Sequence, residues 1–559
     1  MGSDRGQLSN MSEQARTGIP FCAVSPPKDK TGDRDDNQHD RRDGHQISHP
    51  SEQMRPSPVL YLWRVRARLT RSWIITARLH SMQKPSPDRP ILKKGHNCWR
   101  IAPAKRAAVL IDGANYYAQL DKVIRGAQKS ILIIGWDFDA GIKLLPEQPD
   151  YPKLGDLLRS LVEERPLLEV RVLVWSVALL HAPSAPLPLL LGAPWEDHPR
   201  TQVRLDREHP LYGAHHQKIV CVDDTVAFVG GMDLTIRRWD TTEHLADHPL
   251  RKDPDGVPYP PVHDVQMAVE GEAARAVSDV ARERWHRAIG ENVPPVTGAA
   301  DLWPDDLQPD FTDTPVAIAR TFASWKGAPE VTEGMALTID ALSAANRSIY
   351  IEAQYLTAPR VGKLLAETLA RAHGPEIVIV VRRLFTSKME GFVMGGNQKR
   401  LVQRLRRADR YGRLGVYYPV VLRGAGDCPV IIHSKIIIVD DDFVRVGSSN
   451  LNNRSIALDT ECDLAIEGSD DERRRTIAGL RERLIAEHLD TTPQAVRDTV
   501  AAEGSLLRAI ERLGCNRRCL RLIPDFGKLP TRPVFGTWLL DPPRPFFLFQ
   551  RKRAKHDAG

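Results

Sequence analysis

The stretch HHQKIVCVDD at residues 215–224 sets His216, Lys218 and Asp223 in one frame, and IIHSKIIIVDD at 431–441 repeats that frame as His433, Lys435 and Asp440. On a strand, residues two apart project from the same face, so each histidine points with its lysine. Brought together, two imidazoles and two ammonium groups suit a phosphate. The lysines neutralise its oxygens, one imidazole attacks phosphorus, and the other protonates the departing oxygen. A nucleophilic imidazole works best when its other ring nitrogen donates to a carboxylate. Asp264 and Glu461 stand at matching places in HDVQMAVEG (263–271) and TECDLAIEG (460–468). Taking each half by itself, Asp264 is assigned to His216 and Glu461 to His433. Asp223 and Asp440 complete the two catalytic frames but face away from their histidines on an unbroken strand, so they are expected to brace the site rather than react.

After each frame comes a small-residue turn, AFVGGMD (227–233) and VRVGSSN (444–450). Gly230, Gly231 and Gly447 permit close backbone approach there. Ser448 and Asn450 are expected to join Lys218 and Lys435 in binding phosphate oxygens. Asp233 stands where Asn450 does, and an acid at that place suits hydrogen-bonding support. His215 should point opposite to His216 and is read as structural. Cys221 sits among Ile and Val and is read as a buried thiol.

Converging two such frames requires two similar halves, and the chain contains them. AQKSILIIGWDFD (127–139) matches ANRSIYIEAQYLT (345–357), each with the short apolar run of a buried strand. Helical patterns follow at 154–164 and 360–372, then apolar strands at 168–176 and 376–383, the two frames, the turns and the Glu-Gly segments. Helical patterns at 272–289 and 470–489 close each half. The first half carries an insertion at 237–261, polar and proline-rich, which reads as a loop. The expected fold is therefore α/β: two similar lobes, each a mixed β-sheet sandwiched by helices, related by a pseudo-two-fold axis. The boundaries read as a disordered or poorly ordered basic N-terminal region over 1–90, a first lobe over 91–300, a linker over 301–335, a second lobe over 336–495 and a C-terminal tail over 496–559.

A net charge of +7 favours an anionic partner without choosing among lipid, nucleic acid and phosphorylated small molecules. Seven cysteines are too sparse for a disulfide framework and suit a reducing compartment. CNRRC, with Cys515 and Cys519, reads as packing or surface thiols rather than a metal half-site. Neither a membrane-length apolar run nor a secretion-signal layout is present, so a cytoplasmic protein at the membrane periphery is expected. LWRVRARLTRSWIITARL (62–79), with five arginines and no acid, reads either as an amphipathic helix on anionic lipid or as a leader. WDTTEHLADH lacks regular ligand spacing, and the lysines already supply positive charge. The chemistry is expected to need no metal and no cofactor.

These residues resemble the phospholipase D superfamily, whose hallmark is two copies of His-x-Lys-x4-Asp followed by Gly-(Gly/Ser)-x-(Asn/Asp). The resemblance spans roughly residues 95–490 and includes IYIEAQY, with alanine where the family often has asparagine, and HDVQMAVEG. It implies a bilobal fold with one site at the pseudo-dyad and a ping-pong route through a phosphohistidine. His216 is then the nucleophile, and His433 the acid that later serves as base. The implied function is a phospholipase D, releasing phosphatidic acid and headgroup alcohol from glycerophospholipid, with transphosphatidylation when an alcohol replaces water. A cardiolipin synthase-type phosphatidyltransferase is the alternative. A nuclease is disfavoured by the duplication, and a non-catalytic lipid-binding protein by the intactness of both frames. The expected partner is glycerophospholipid at an anionic membrane surface, with no nucleic acid, and the chain is expected to act as a monomer.

Overall fold

The computed structural model describes residues 90–176, 194–385, 387–424, 426–530 and 532–545. The basic region before residue 90, with its 62–79 segment, lies outside the described residues.

The first lobe is built on β1 (Arg100–Ile111), β2 (Ser130–Gly135), β3 (Glu169–Trp175), β4 (Thr201–Asp206), β5 (Ile219–Val222), β6 (Val226–Gly230) and β7 (Val265–Gly271). The second uses β8 (Phe311–Phe322), β9 (Ser348–Ala353), β10 (Glu376–Val381), β11 (Leu414–Arg423), β12 (Lys435–Val439), β13 (Phe443–Gly447) and β14 (Glu461–Glu467). Runs such as SILIIG, EIVIVV and KIIIV are buried along nearly their whole length, as strands covered on both faces must be. In the first lobe the order is β4-β3-β2-β5-β6-β7-β1, with β2, β3 and β4 parallel and the remaining pairings antiparallel. The second lobe repeats it as β11-β10-β9-β12-β13-β14-β8.

The lobes join where β1 pairs antiparallel with β8, from Arg100 opposite Ile318 to Ala107 opposite Phe311. Ala108 of β1 lies opposite Ala268 of β7, just as Ala317 of β8 lies opposite Ala465 of β14. β1 and β8 are thus equivalent strands paired with each other, and a pseudo-two-fold axis passes between them. Residues 301–335 are therefore not a simple linker: they contain β8, the first strand of the second lobe. That strand, FTDTPVAIARTF, is rich in Thr and Ala and interrupted by proline, so it lacks the continuous β-branched run that marks its neighbours.

Helices α1 (Gly113–Gly126) and α2 (Leu154–Glu164) pack on one face of the first lobe. α3 (Glu272–Ile289) enters a core shared with the second lobe. In the second lobe α4 (Glu333–Ala344), α5 (Pro359–Ala370) and α6 (Gly396–Ala408) cover the equivalent face, and α7 (Asp471–Leu489) joins α3 in the shared core. The C-terminal region is not a loose tail at its start. α8 (Pro493–Glu503) and α9 (Leu506–Leu513) precede β15 (Arg518–Leu522), which pairs antiparallel with β11. Cys515 and Cys519, expected as thiols, are joined there in a disulfide, their Cα atoms 4.7 Å apart. Among the described residues no helix is long and apolar enough to cross a membrane.

Candidate active site

The two histidines lie just before their strands rather than on them, because their backbone is used across the lobe boundary. The His216 N–H donates to the Thr460 carbonyl at 3.0 Å, and the Thr460 N–H to the Ala214 carbonyl at 2.9 Å. On the other side the His433 N–H donates to the His263 carbonyl at 2.8 Å, and Ile431–Ile432 pairs in parallel with Val262–His263. Each histidine is thereby set beside the residue that follows in the opposite lobe, Glu461 after Thr460 and Asp264 after His263.

The carboxylates consequently cross over. His216 Nδ1 lies 2.9 Å from Glu461 Oε2, and His433 Nδ1 lies 2.6 Å from Asp264 Oδ2. The within-lobe assignment of Asp264 to His216 and Glu461 to His433 is corrected. β7 and β14 sit close to the dyad, so a carboxylate at the start of either strand reaches the partner lobe's imidazole. The imidazole side chains are 15% and 10% exposed against 0% and 2% for their carboxylates, so only the imidazoles reach the open side of the site.

The two pairs are supported differently. Glu461 accepts from the Ser448 hydroxyl on Oε2 and the Ser455 hydroxyl on Oε1, both at 2.6 Å. Asp264 accepts from the Val265 N–H at 2.8 Å. Gly231 stands where Ser448 does, and a Cβ there would lie 2.0 Å from Asp264 Oδ1, so the close approach requires glycine. Ser448, expected to hold phosphate, is instead spent on Glu461. The Asn450 side-chain oxygen is buried without a hydrogen-bond partner, while its backbone N–H donates to Ser455 Oγ at 3.1 Å.

The lysines also differ. Lys218 Nζ is 3.1 Å from Asp233 Oδ2, and Asp233 Oδ1 accepts from the Trp136 N–H at 2.7 Å, so Asp233 is the hydrogen-bonding support expected of it. Lys435 Nζ donates to Gln354 Oε1 at 2.9 Å and to the His433 carbonyl, with no carboxylate in ion-pair contact among the described residues. Burial in the first place, with the positive field of Lys218 added, holds the Lys435 ammonium down to about 7. Burial, then the charges of Lys218 and Lys435, hold the His216 imidazole well below its ordinary range. Burial, Lys435 and Arg238 do the same for His433. Both lysines thus act on both histidines, as convergence on one spot requires. Nδ1 is engaged in each ring, which directs Nε2 toward the substrate side.

Asp223 and Asp440 lie apart from this chemistry. The Asp223 carboxylate accepts from the backbone N–H groups of Gln128, Lys129 and Ser130 at 2.7–2.8 Å, pinning the start of β2. Asp440 does the same for Asn346, Arg347 and Ser348 at the start of β9. Both adopt left-handed backbone, φ 50° and 52°. Their place in the catalytic set is corrected to a structural one. They brace the strands beside the catalytic strands, since β5 and β12 end in the turns these residues form. His215 is buried against Asp206 at 3.0 Å, and Cys221 is buried with its thiol pushed up to about 12 by that burial.

Three contributors were not singled out from sequence. Gln354 lies in IYIEAQY and holds Lys435. Ser455 holds Glu461 from a second side. Arg238 has no ion-pair partner among the described residues, and its buried Nε makes no hydrogen bond, yet its charge acts on His433, Lys435 and Asp264. RRWDTT (237–242) and RSIALD (454–459) look unrelated, but Arg238 and Ser455 stand at the same distance from the glycine turns, and that shared spacing was the available signal. Among the described residues, the His and carboxylate clusters with metal-ligand proximity do not include His216 or His433.

Comparisons with known proteins divide along the same lines. The family model described as "Phospholipase D" matches residues 196–302, and that described as "Cardiolipin synthase, PLD-like domain" matches residues 338–479, one on each lobe. The chain is 23% identical to phospholipase D A of Dictyostelium discoideum over 480 residues, 69% of this chain and 35% of that one. It is 23% identical to phospholipase D2 of Bos taurus over 65% of this chain and 49% of the relative. It is 25% identical to cardiolipin synthase A of Pseudomonas aeruginosa over 55% of this chain and 52% of the relative. The chain therefore spans between about a third and a half of the length of these relatives. Among solved structures, a phosphatidylserine synthase of Haemophilus influenzae superposes with a TM-score of 0.46 at 16% identity, over 69% of this chain and 88% of that one. With a family model on each half and both motif copies intact within a duplicated fold, the chain belongs to the phospholipase D superfamily.

Proposed function

We propose that this chain is a phosphodiesterase acting on glycerophospholipids, hydrolysing the distal phosphodiester bond to phosphatidic acid and free headgroup alcohol. The observation that carries this reading is the reciprocal pair of imidazole–carboxylate contacts, His216 with Glu461 and His433 with Asp264, beside two buried lysines. His216 Nε2 attacks phosphorus, forming the P–N bond while the bond from phosphorus to the headgroup oxygen breaks. His433 delivers its Nε2 proton to that oxygen. Water then enters, His433 takes a proton from it, and the new P–O bond forms as the P–N bond breaks. Lys218 and Lys435 neutralise the non-bridging oxygens throughout. An alcohol entering in place of water gives transphosphatidylation.

A membrane surface suits a set of exposed apolar side chains on the second lobe and the C-terminal region. Met389, Phe392, Phe535 and Trp538 are each more than half exposed, and Asn397 Nδ2 donates to Thr537 Oγ1 at 2.8 Å, tying the two segments together. A second reading, a phosphatidyltransferase of the cardiolipin synthase type, is favoured by the family model that matches the second lobe. Purified protein incubated with mixed phospholipids and a primary alcohol, with products identified by mass, tests both. Phosphatidic acid with phosphatidyl-alcohol supports the phospholipase, and cardiolipin formed from phosphatidylglycerol supports the transferase. Cleaved oligonucleotide with untouched lipid overturns both.

A further inference from the structure

Behind the carboxylate Asp264 lies a second, wholly buried group of titratable side chains that the phosphodiester chemistry does not use. His244 comes from the first-lobe insertion, His263 from the approach to β7, Asp112 from the end of β1, and Glu487 from α7 of the other lobe. His244 Nε2 lies 3.0 Å from Glu487 Oε1 and 3.5 Å from Asp112 Oδ2. His263 Nδ1 lies 2.7 Å from Glu487 Oε1 and 3.0 Å from Asp112 Oδ1. Two nitrogens and the oxygens of two carboxylates therefore alternate around one point.

The hydrogen bonding of this group is incomplete. Although His263 Nδ1 has two carboxylate oxygens within 3.0 Å, neither contact has hydrogen-bond geometry, and both oxygens of Asp112 are buried without a hydrogen-bond partner. The remaining nitrogen of each histidine, by contrast, is well held. His244 Nδ1 meets Asp240 Oδ2 at 3.0 Å and His263 Nε2 meets Glu352 Oε2 at 2.8 Å. Outer carboxylates of this kind fix the ring orientation of metal-bound histidines.

We propose that His244, His263, Asp112 and Glu487 form a structural site for a zinc-class divalent cation. Four ligands about 2.0–2.1 Å from a tetrahedral zinc stand about 3.3 Å from one another, so the 2.7 Å contact has to open by about 0.6 Å and the two 3.0 Å contacts by about 0.3 Å, while the 3.5 Å contact already spans that separation. Two imidazoles with two carboxylates suit zinc over calcium or magnesium, which prefer all-oxygen shells. All four ligands come from the protein, which closes the shell and suits a structural rather than a reacting metal. Entry is available from a cavity of about 330 Å³ whose lining includes Ile111, Thr242 and Glu487. The site ties the insertion and β1 of one lobe to α7 of the other. His263 also accepts the His433 N–H and precedes Asp264, so the cation would brace the strand that carries that carboxylate.

The test uses the full chain expressed with zinc available, freed of loosely held metal, and analysed by elemental mass spectrometry. The expected result is about one zinc per chain, with cobalt replacement giving the strong visible absorption of a four-coordinate site. Asp240→Asn should weaken zinc binding about 10–100-fold through His244, while His244→Ala and Glu487→Gln should remove it. Chelator-stripped wild-type protein should unfold at a lower temperature and recover on adding zinc. Less than about a tenth of a zinc per chain, with no cobalt absorption in a folded wild-type protein, would overturn the site and leave the cluster a self-paired histidine–carboxylate network.

Discussion

The crossed carboxylates give the sharpest prediction, because they separate two steps of one reaction. In Glu461→Gln the buried carboxylate facing His216 Nδ1 at 2.9 Å becomes a carboxamide. The lost charge-assisted hydrogen bond is worth about 1.5–3 kcal/mol, or roughly 10–150-fold in rate. Ser448 donates to the same Oε2 that faces Nδ1 and Ser455 to Oε1, so the amide N–H₂ displaces one hydroxyl either way; Ser448 has the Cys462 carbonyl at 3.4 Å as a second acceptor, which favours turning the N–H₂ toward Nδ1. That would force the imidazole proton onto the attacking Nε2, and a wrong tautomer alone costs up to about 10⁴ in kcat in a serine protease triad. The expected loss is therefore about 10²–10⁴-fold, concentrated in formation of the covalent intermediate. Asp264→Asn should lose a similar factor in both phases, because His433 serves as acid in the same step that forms the intermediate and as base in the water attack that follows. Rapid-quench kinetics on a short-chain phospholipid, following headgroup release and phosphatidic acid separately, reads the two phases. If Glu461→Gln left formation intact and slowed only breakdown, either the crossed pairing or the assignment of His216 as nucleophile would be wrong.

Other consequences are simpler. The buried Lys435 ammonium, held near 7, is charged below that pH and loses its charge as pH rises through it, so phosphate binding and kcat/KM should fall above about pH 7. Gln354→Glu places a carboxylate against that ammonium beside Asp264, Glu461, Lys218 and Arg238, and should move this alkaline limb up by about 1–3 pH units; an unmoved limb would assign it to another group. Arg238, a cation without an ion-pair partner among the described residues beside His433 and Lys435, is expected to contact a phosphate oxygen, so Arg238→Ala should raise KM more than it lowers kcat, by about tenfold for one charge-assisted contact; unchanged KM would refute that role. Asp223→Ala leaves three strand-initiating amides without their acceptor and should cost about 2–4 kcal/mol of stability by denaturant unfolding, and a change under about 0.5 kcal/mol would mean water replaces it freely.

The two motif copies were legible because they recur inside a duplication whose apolar strands are themselves visible. Asp223 and Asp440 do turn away from the histidines, but not by strand parity: the histidines precede their strands and the aspartates sit in left-handed turns after them, each holding three amides. The carboxylate partners were misassigned because a repeat suggests pairing within each half, and nothing in the linear order says that β7 and β14 lie against the dyad. β1 and β8 escaped notice for a different reason. β1 is alanine-rich and β8 alanine- and threonine-rich, and both lie outside the matched segments, so neither β-branched runs nor the repeat marks them. Asp112, His244, His263 and Glu487 come from four separate elements, and no ligand spacing in the chain can announce such a group.

The claim on which the rest stands is that His216 and His433 serve a single phosphoester, one as nucleophile and one as proton carrier. It is tested most directly by mixing the protein with short-chain phospholipid, quenching within one turnover, and locating the phosphatidyl adduct by mass spectrometry. The account predicts one adduct per chain, carried on His216 alone. Adducts on both histidines of the same molecule, or none together with inversion of configuration at phosphorus, would contradict it.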